Sequence, residues 1–505
     1  MKNGIDINNI DKSEFEFVQS DQRISDTKFE TKRIGYLHDA LRRFAQNKGS
    51  VVAAIVLLFL AAFSIITPFF SGHTTIGTDP YYTYCEPKSE LFEGTGFWDG
   101  TRAKSGSINT YIYYREFNAI AEKSDPYQKY DPVTNTSTTY YDMRIDTYTV
   151  GYVYKSFDEE EFLRILDYDE KVGDDEKVLA KMVDLSWARS VNATLYNNLK
   201  QNANYSYKVN SKMVPEYTLD DNGEPVLTYT YEKDSDGNYV YYKKSSIGGF
   251  VSYSVRMSYD NYYLFVNGKR PLFVLGSDKY GRDVMTRLAS GGRLSLALGI
   301  SVAAVNILIG IIYGSIEGFY GGATDLIMER ISDILTELPF TVVVVLFNSY
   351  NADSGGKLSP AFLLFFAFVF TGWIGTAATV RMQFYRFKNQ EYVLAAKTLG
   401  SGDARLIFRH ILPNAVGTIV TSSVLMVPGV IFTESSLSFL KIIDFESSGI
   451  TSIGLMLSDG QTGFTSYPNL VLWPALFISL LMICFNVFGN GLRDAFNPQL
   501  RGSEE

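Results

Sequence analysis

The chain of 505 residues is 46% apolar and carries a formal net charge of −9, but its apolar residues are gathered in long blocks separated by polar stretches, so these averages describe neither part. The basic residues follow the edges of the apolar blocks instead of forming one stripe, which excludes nucleic-acid binding. Three scattered histidines (His38, His73, His410) and two cysteines in unlike contexts (Cys85, Cys484) supply neither a metal-ligand spacing nor a disulfide framework.

Residues 1–31 are polar, with too little apolar surface to offset the entropy of ordering, and are expected to form a flexible cytoplasmic tail. A basic flank (Lys32, Arg33, Arg42, Arg43, Lys48) completes a first region, 1–50. The uncharged run 51–70 is long enough to cross a bilayer, and its depth in the chain argues against a cleaved signal peptide. Its basic flank puts the N-terminus inside.

Residues 71–275 hold most of the 35 tyrosines and no spanning run, and predict an extracytoplasmic α+β domain inserted between the first two membrane helices. Within it, 226–231 and 239–242 flank the turn-forming 234–238 as a hairpin. A second hairpin is expected for 264–266 and 272–274 around Asn267-Gly268. Residues 159–166 and 175–199 carry helical spacing, the latter at Val178, Leu179, Met182 and Val183. The acidic runs Glu159-Glu160-Glu161 and Asp174-Asp175 read as solvated faces.

Region 276–492 returns to the membrane, with apolar blocks at 293–316, 326–348, 360–383, 415–437 and 468–490. With 51–70 these make six spans, a membrane all-α fold, and return the C-terminal tail 493–505, with Arg493 and Arg501, to the inside. The block from 326 carries Glu329, Arg330, Asp333 and Glu337 in its first half, so only its later part reads clearly as a span.

Between the fourth and fifth spans lies a basic segment, 384–414, preceded by Arg381. Tyr392, Ala395, Ala396 and Leu399 fall at helical spacing, and Ala404, Ile407, Phe408 and Ile411 repeat it. Two short amphipathic helices follow, with Gly400 turning the chain between them and Pro413 preceding the next span. Such a unit fits a groove on a cytoplasmic partner or lies on anionic headgroups; spacing and charge leave both open.

The stretch Glu391-Tyr392-Val393-Leu394-Ala395-Ala396-Lys397-Thr398-Leu399-Gly400, continuing to Leu412-Pro413-Asn414, resembles the coupling loop of bacterial ABC importer permeases, which docks into an ATPase subunit. Leu394 stands where that family has Glu, whereas the spacing of Ala395, Ala396, Gly400, Leu412 and Pro413 is intact. Leu275-Gly276-Ser277-Asp278-Lys279-Tyr280-Gly281-Arg282-Asp283-Val284 and the tail Gly489–Pro498 resemble the corresponding segments of oligopeptide and dipeptide permeases. The resemblance covers the first span and about 275–500, and leaves the tyrosine-rich insertion outside.

The resemblance implies the type I ABC importer permease fold and a transporter subunit that is no enzyme, forming half of a pore for peptides in the bacterial cell membrane. It implies a second permease, two ATP-binding subunits and an extracytoplasmic substrate-binding lipoprotein as partners, with lipid around the spans. Glu391, Ala395, Ala396, Gly400, Arg405, Leu412 and Pro413 become the candidate ATPase-coupling residues. Gly276, Asp278, Gly281, Arg282 and Asp283 become candidate outer-gate residues, against the plainer reading that their charges form a solvated, capped turn. No phosphate-binding Gly-x-x-x-x-Gly-Lys loop, nucleophile elbow or His-Glu-x-x-His site occurs, so no cofactor or metal is expected and ATP would bind the partners.

The tyrosines of the insertion suit either a ligand platform or cross-strand packing, and its place above the pore suggests docking of the binding protein. Two rival functions are a membrane-anchored receptor with an external ligand-binding domain and a proton-driven transporter. The first leaves the coupling loop unexplained, and the second requires ionisable residues that the spans, apart from 329–337, almost lack.

Overall fold

The computed structural model describes residues 36–131, 136–186, 216–221 and 225–496; the expected tail 1–31 and the later part of the expected helix 175–199 lie outside them. A short helix α1 (Tyr36–Gln46) leads into α2 (Lys48–Phe70), which starts where the Asn47 side chain accepts a hydrogen bond from Ser50 N. Its 23 residues extend about 34 Å, enough to cross a bilayer.

The segment between α2 and the next long helix holds both strands and helices. β1 (Thr101–Ser107), β2 (Ile120–Lys123) and β3 (Tyr127–Asp131) all pair antiparallel with the long β4 (Thr136–Asp146). A helix, α3 (Ile108–Glu116), covers this sheet with Tyr111 and Ile112 against Tyr141, Met143 and Ile145. A second sheet has β5 (Tyr152–Phe157), β6 (Leu179–Ala180) and β9 (Tyr242–Ile247) around β10 (Phe250–Ser258), and β7 (Tyr217–Leu219) pairs with β8 (Pro225–Leu227). The helices α4 (Glu159–Asp169) and α5 (Tyr259–Asn267) close its core, in which Phe162, Ile165, Val255 and Met257 are fully enclosed.

Of the two expected hairpins, one forms only as its turn and a single bridge, its expected strands pairing elsewhere (β8 with β7, β9 with β10), and the other does not form. The Asp234 carboxylate accepts from Asp236 N and Asn238 N, both at 2.9 Å, and Lys233 bridges Tyr239 across the turn. Residues 264–266, by contrast, belong to α5: Ser258 caps its start, and Gly268 ends it in the left-handed region with its N–H on Leu264 O. The described part of 175–199 is a single turn followed by β6, because the Asp169 carboxylate takes Val178 N (2.7 Å) and Leu179 N (2.9 Å) and draws the chain onto β10.

The membrane part continues with α6 (Val284–Tyr320), the bent pair α7 (Gly322–Thr336) and α8 (Phe340–Asp353), α9 (Pro360–Phe387) and α10 (Glu391–Thr398). It ends with α11 (Asp403–Phe439), the short α12 (Ile453–Gln461) and α13 (Asn469–Phe496). Five of these, α2, α6, α9, α11 and α13, are long and apolar enough to span a bilayer, and the bent pair would make a sixth. The continuous span expected over 326–348 is therefore broken by a 75° bend, at Pro339, which has no N–H to offer a helix and disfavours helical backbone in the residue before it.

Glycines bring α6 and α9 together. A Cβ on Gly310, Gly314 or Gly318 would lie 2.6 Å from Thr376 Cβ, 2.2 Å from Ala377 O or 2.6 Å from Phe384 Cβ, so the stripe admits the neighbouring helix only because it has no side chains.

Candidate functional site

The candidate outer residues lie where the insertion rejoins the membrane helices. Ser277 and Cys85 exchange bonds (Ser277 N to Cys85 O 3.0 Å; Cys85 N to Ser277 Oγ 2.8 Å), which lays the segment before α6 along the segment after α2. Gly281 has φ +74°, and a Cβ there would lie 2.0 Å from Asp79 O; at Gly276 it would lie 2.6 Å from Cys85 O. Asp283 caps α6 by accepting from Thr286 N at 2.8 Å.

The charges are not solvated, which corrects the plainer expectation for this turn. Asp278 is 4% exposed, Arg282 8% and Asp283 2%. Asp278 Oδ1 accepts from Tyr280 N (2.8 Å) and Arg282 N (2.9 Å), while Oδ2 receives Arg282 Nε at 2.8 Å and also Arg287 Nη1. Across the space Asp459, on α12, faces Lys279 Nζ (3.0 Å), Arg287 Nη2 (3.4 Å) and Arg282 Nη2 (3.6 Å). Two carboxylates thus hold three cations, and the start of α6 is locked to α12. Sequence reasoning found Asp278 and Arg282 but missed Lys279, Arg287 and Asp459, the last 172 residues from Arg287 with no local pattern to connect them.

At the opposite end of the helices, α10 turns its buried Val393 and Ala396 against Leu406, Ile407 and Ile411. The face expected from spacing is the outer one: Tyr392, Ala395 and Leu399 are exposed, Leu399 at 87%, alongside Glu391, Leu394, Arg405 and Phe408. Gly400, at φ +85°, ends α10 with Ser401 N on Ala396 O (3.1 Å) and turns the chain. The second short helix is not separate. Residues 403–411 run directly into the following span through a wide turn at Leu406–Ile411, because Pro413 lacks the N–H that regular helix would require; Leu412 is partly buried and Pro413 exposed.

Beside this loop lies a network that sequence reasoning had in pieces. Arg381 Nε and Nη2 donate to Asp325 (2.6 and 2.9 Å), Nη1 and Nη2 donate to Glu329 (2.8 and 3.1 Å), and Glu317 lies 3.6 Å away. Glu329, in the first half of the third apolar segment, and Asp325 just before it are therefore paired on α7, and α7 is tied to α9 where the loop 384–414 begins. A second missed group is Glu434 on α11, fully enclosed by the hydroxyls of Ser295 (2.6 Å), Ser438 (3.1 Å) and Ser435 (3.3 Å).

Most tyrosines of the insertion pack. Tyr253 stacks on Phe162 at 4.2 Å, Tyr111 on Tyr141 at 4.2 Å, and Tyr82 sits among Tyr259, Tyr263 and Phe273. A cleft of about 910 Å³ remains between the two sheets, where Arg256 lies over the Tyr152 ring at 3.9 Å and Glu116 faces it. Burial pushes the Glu116 carboxyl up to about 7, against the lowering influence of Arg256 and Arg115. Burial likewise pushes the Cys85 thiol up to about 12, so it is inert, and both cysteines are free.

Comparison with known proteins fits this architecture. The family described as the binding-protein-dependent transport system inner membrane component matches residues 294–502, and the N-terminal TM domain of oligopeptide transport permease C matches 35–87. The oligopeptide transport system permease protein OppC of Bacillus subtilis is 45% identical over 226 residues, which cover 45% of this chain and 72% of that protein. The dipeptide transport system permease protein DppC of the same organism is 42% identical over 227 residues, covering 45% and 68%. A methionine ABC transporter structure, MetNI, aligns over 42% of this chain and 97% of its own at 15% identity and a TM-score of 0.35, too low to carry an argument. Residues 88–293 lie outside both family matches. The receptor alternative is left without support, and the chain belongs to the family of oligopeptide and dipeptide ABC transport permeases.

Proposed function

We propose that the chain is one of two permease subunits of an ATP-driven peptide importer. The bent pair α7–α8 counts as the span that brings the total to six, both termini are cytoplasmic, and 71–275 lies outside. The loop 384–414 receives the closing stroke of one of two ATP-binding subunits and passes it to α9 and α11, between which it is strung. ATP is hydrolysed on those partners. A substrate-binding lipoprotein delivers the peptide at the outer face, where the insertion is placed to receive it.

The observation that carries this reading is the apolar surface left uncovered on α10 and the turn that follows it. Tyr392, Leu394 and Leu399 project from a segment whose other side is firmly packed, so a rigid knob is presented to a partner. The relay is mechanical: Arg381 and its carboxylates hold α7 to α9, so a push on the loop moves both together. Leu399→Asp alters an exposed side chain and should leave folding intact while abolishing ATP-dependent peptide uptake; uptake at the wild-type rate would contradict a coupling role for this face.

The Asp278–Arg282–Arg287–Asp459 cluster closes the outer mouth by locking α6 to α12. Arg282→Ala should change uptake or make it leak without ATP, and unchanged transport would remove the gate from the account.

A further inference from the structure

Residues 89–99 form a closed loop on the insertion: Ser89 N donates to Trp98 O at 2.8 Å, and Lys88 bridges Asp99. Its apolar side chains point outward. Leu91 is 89% exposed, Phe97 65% and Phe92 40%, a cluster that a protein surface in water does not ordinarily present. Trp98 fixes the loop in place, its ring 5.2 Å from that of Trp473 and its indole N–H on Val274 O.

The height of this contact relative to the membrane can be read from the helices. The α2 and α13 helices run antiparallel side by side, with Phe63 and Phe477 in ring contact at 6.1 Å and, toward the other ends, Ser50 Oγ bonded to Val487 O at 3.4 Å. Trp473 is four residues from Phe477, about 6 Å further toward the insertion. The uncharged run of α2 continues from Phe63 to Phe70, about 10 Å in the same direction. Trp473, and with it the anchored end of the loop, is therefore level with about Thr67, inside the apolar span that runs on to the exposed Phe69 and Phe70.

We propose that loop 89–99 is an interfacial anchor, its Leu91, Phe92 and Phe97 buried in the acyl boundary of the adjoining leaflet and Trp98 and Trp473 at headgroup level. The occupant is lipid, because the loop is seated through Trp98 on Trp473, beside the exposed Leu472 and Leu476 of α13 and at a height where α2 is still apolar. The contact is apolar, since the flanking exposed charges, Glu90 and Glu93, repel anionic headgroups. The anchor fixes the orientation of the insertion over the pore, and no residue in it falls within either family match.

The test places a single cysteine at Phe97, and separately at Leu91, in the full chain purified with its associated subunits in nanodiscs, and labels it with an environment-sensitive NBD dye. Cys85 and Cys484 are buried, and unsubstituted protein gives the background. A label at Phe69 serves as the lipid-exposed reference and one at Asp236, on the hairpin tip, as the aqueous reference. The proposal expects emission shifted to the blue and quenched about twofold or more by brominated lipid at 97 and 91, as at 69, with little quenching by aqueous iodide. Iodide quenching at 97 and 91 like that at 236 overturns the anchor; shielding from both quenchers also overturns it, and assigns the patch to a protein partner. Failure of lipid quenching at 69 as well would instead strike at the assignment of α2 as a span.

Discussion

Asp278 and Asp459, 4% and 8% exposed, share three cations, so removing either carboxylate strands buried positive charge. Asp459→Ala is expected to cost about 3–5 kcal/mol, read as a lowered thermal midpoint of the detergent-purified chain, and the added change Arg287→Met should recover part of it. A silent Asp459→Ala would mean that the cluster is hydrated. Glu116 offers a pH test. Its folded-state pKa is raised from the usual 4.5 to about 7, so its contribution is fully present below about 4.5 and is lost as pH rises through 7. After allowance for its partial exposure this is about 1–2 kcal/mol. The thermal midpoint of wild type should fall relative to Glu116→Gln between those pH values, and parallel profiles would contradict it. The sequence pointed to Asp278, Arg282, Gly281 and Asp283 through a local motif, but a motif names only its own half of an ion cluster. Burial is set by what folds over it, and Asp459 arrives from a helix distant in the chain.

The elements were legible where one physical signal dominated. Long apolar runs became α2, α6, α9, α11 and α13, and the Asp234–Asn238 turn formed through its own aspartate. Errors arose where local pattern competed with tertiary bonds. Asn267-Gly268 suits a hairpin turn and a helix cap equally, and Ser258 at the other end decided for the cap. Hydropathy joined α7 to α8, whereas Pro339 bent them and Arg381 recruited the charges of α7. A helix was expected at 391–398 and forms there, but its buried face is Val393 and Ala396 because the surface it packs on, Leu406, Ile407 and Ile411, lies on that side. The glycine stripe of α6 predicts that Gly314→Val, with 2.2 Å available between its Cβ and Ala377 O, prevents α6–α9 packing and reduces the yield of folded protein several-fold. Wild-type yield and uptake for that variant would show that the helices separate freely.

At the scale of the whole molecule, a chain of the peptide-transport permease family carries an α+β segment between α2 and α6, and the segments flanking it are joined through Cys85–Ser277. The family was readable because its motifs are short, ordered and tied to helix ends. The fold of the insertion was readable only as a class, since its tyrosines pack across strands far apart in sequence. The central claim is that α10 and its Gly400 turn form the seat of a separate ATPase. Mild detergent purification of the tagged chain from its native membrane, with mass spectrometry of what accompanies it, tests this most directly. The account predicts recovery of ATP-binding subunits and a second permease with wild type, and loss of the ATP-binding subunits with retention of the second permease for Leu399→Asp. Equal recovery of the ATP-binding subunits with both proteins, or their absence from the wild-type preparation, would contradict it.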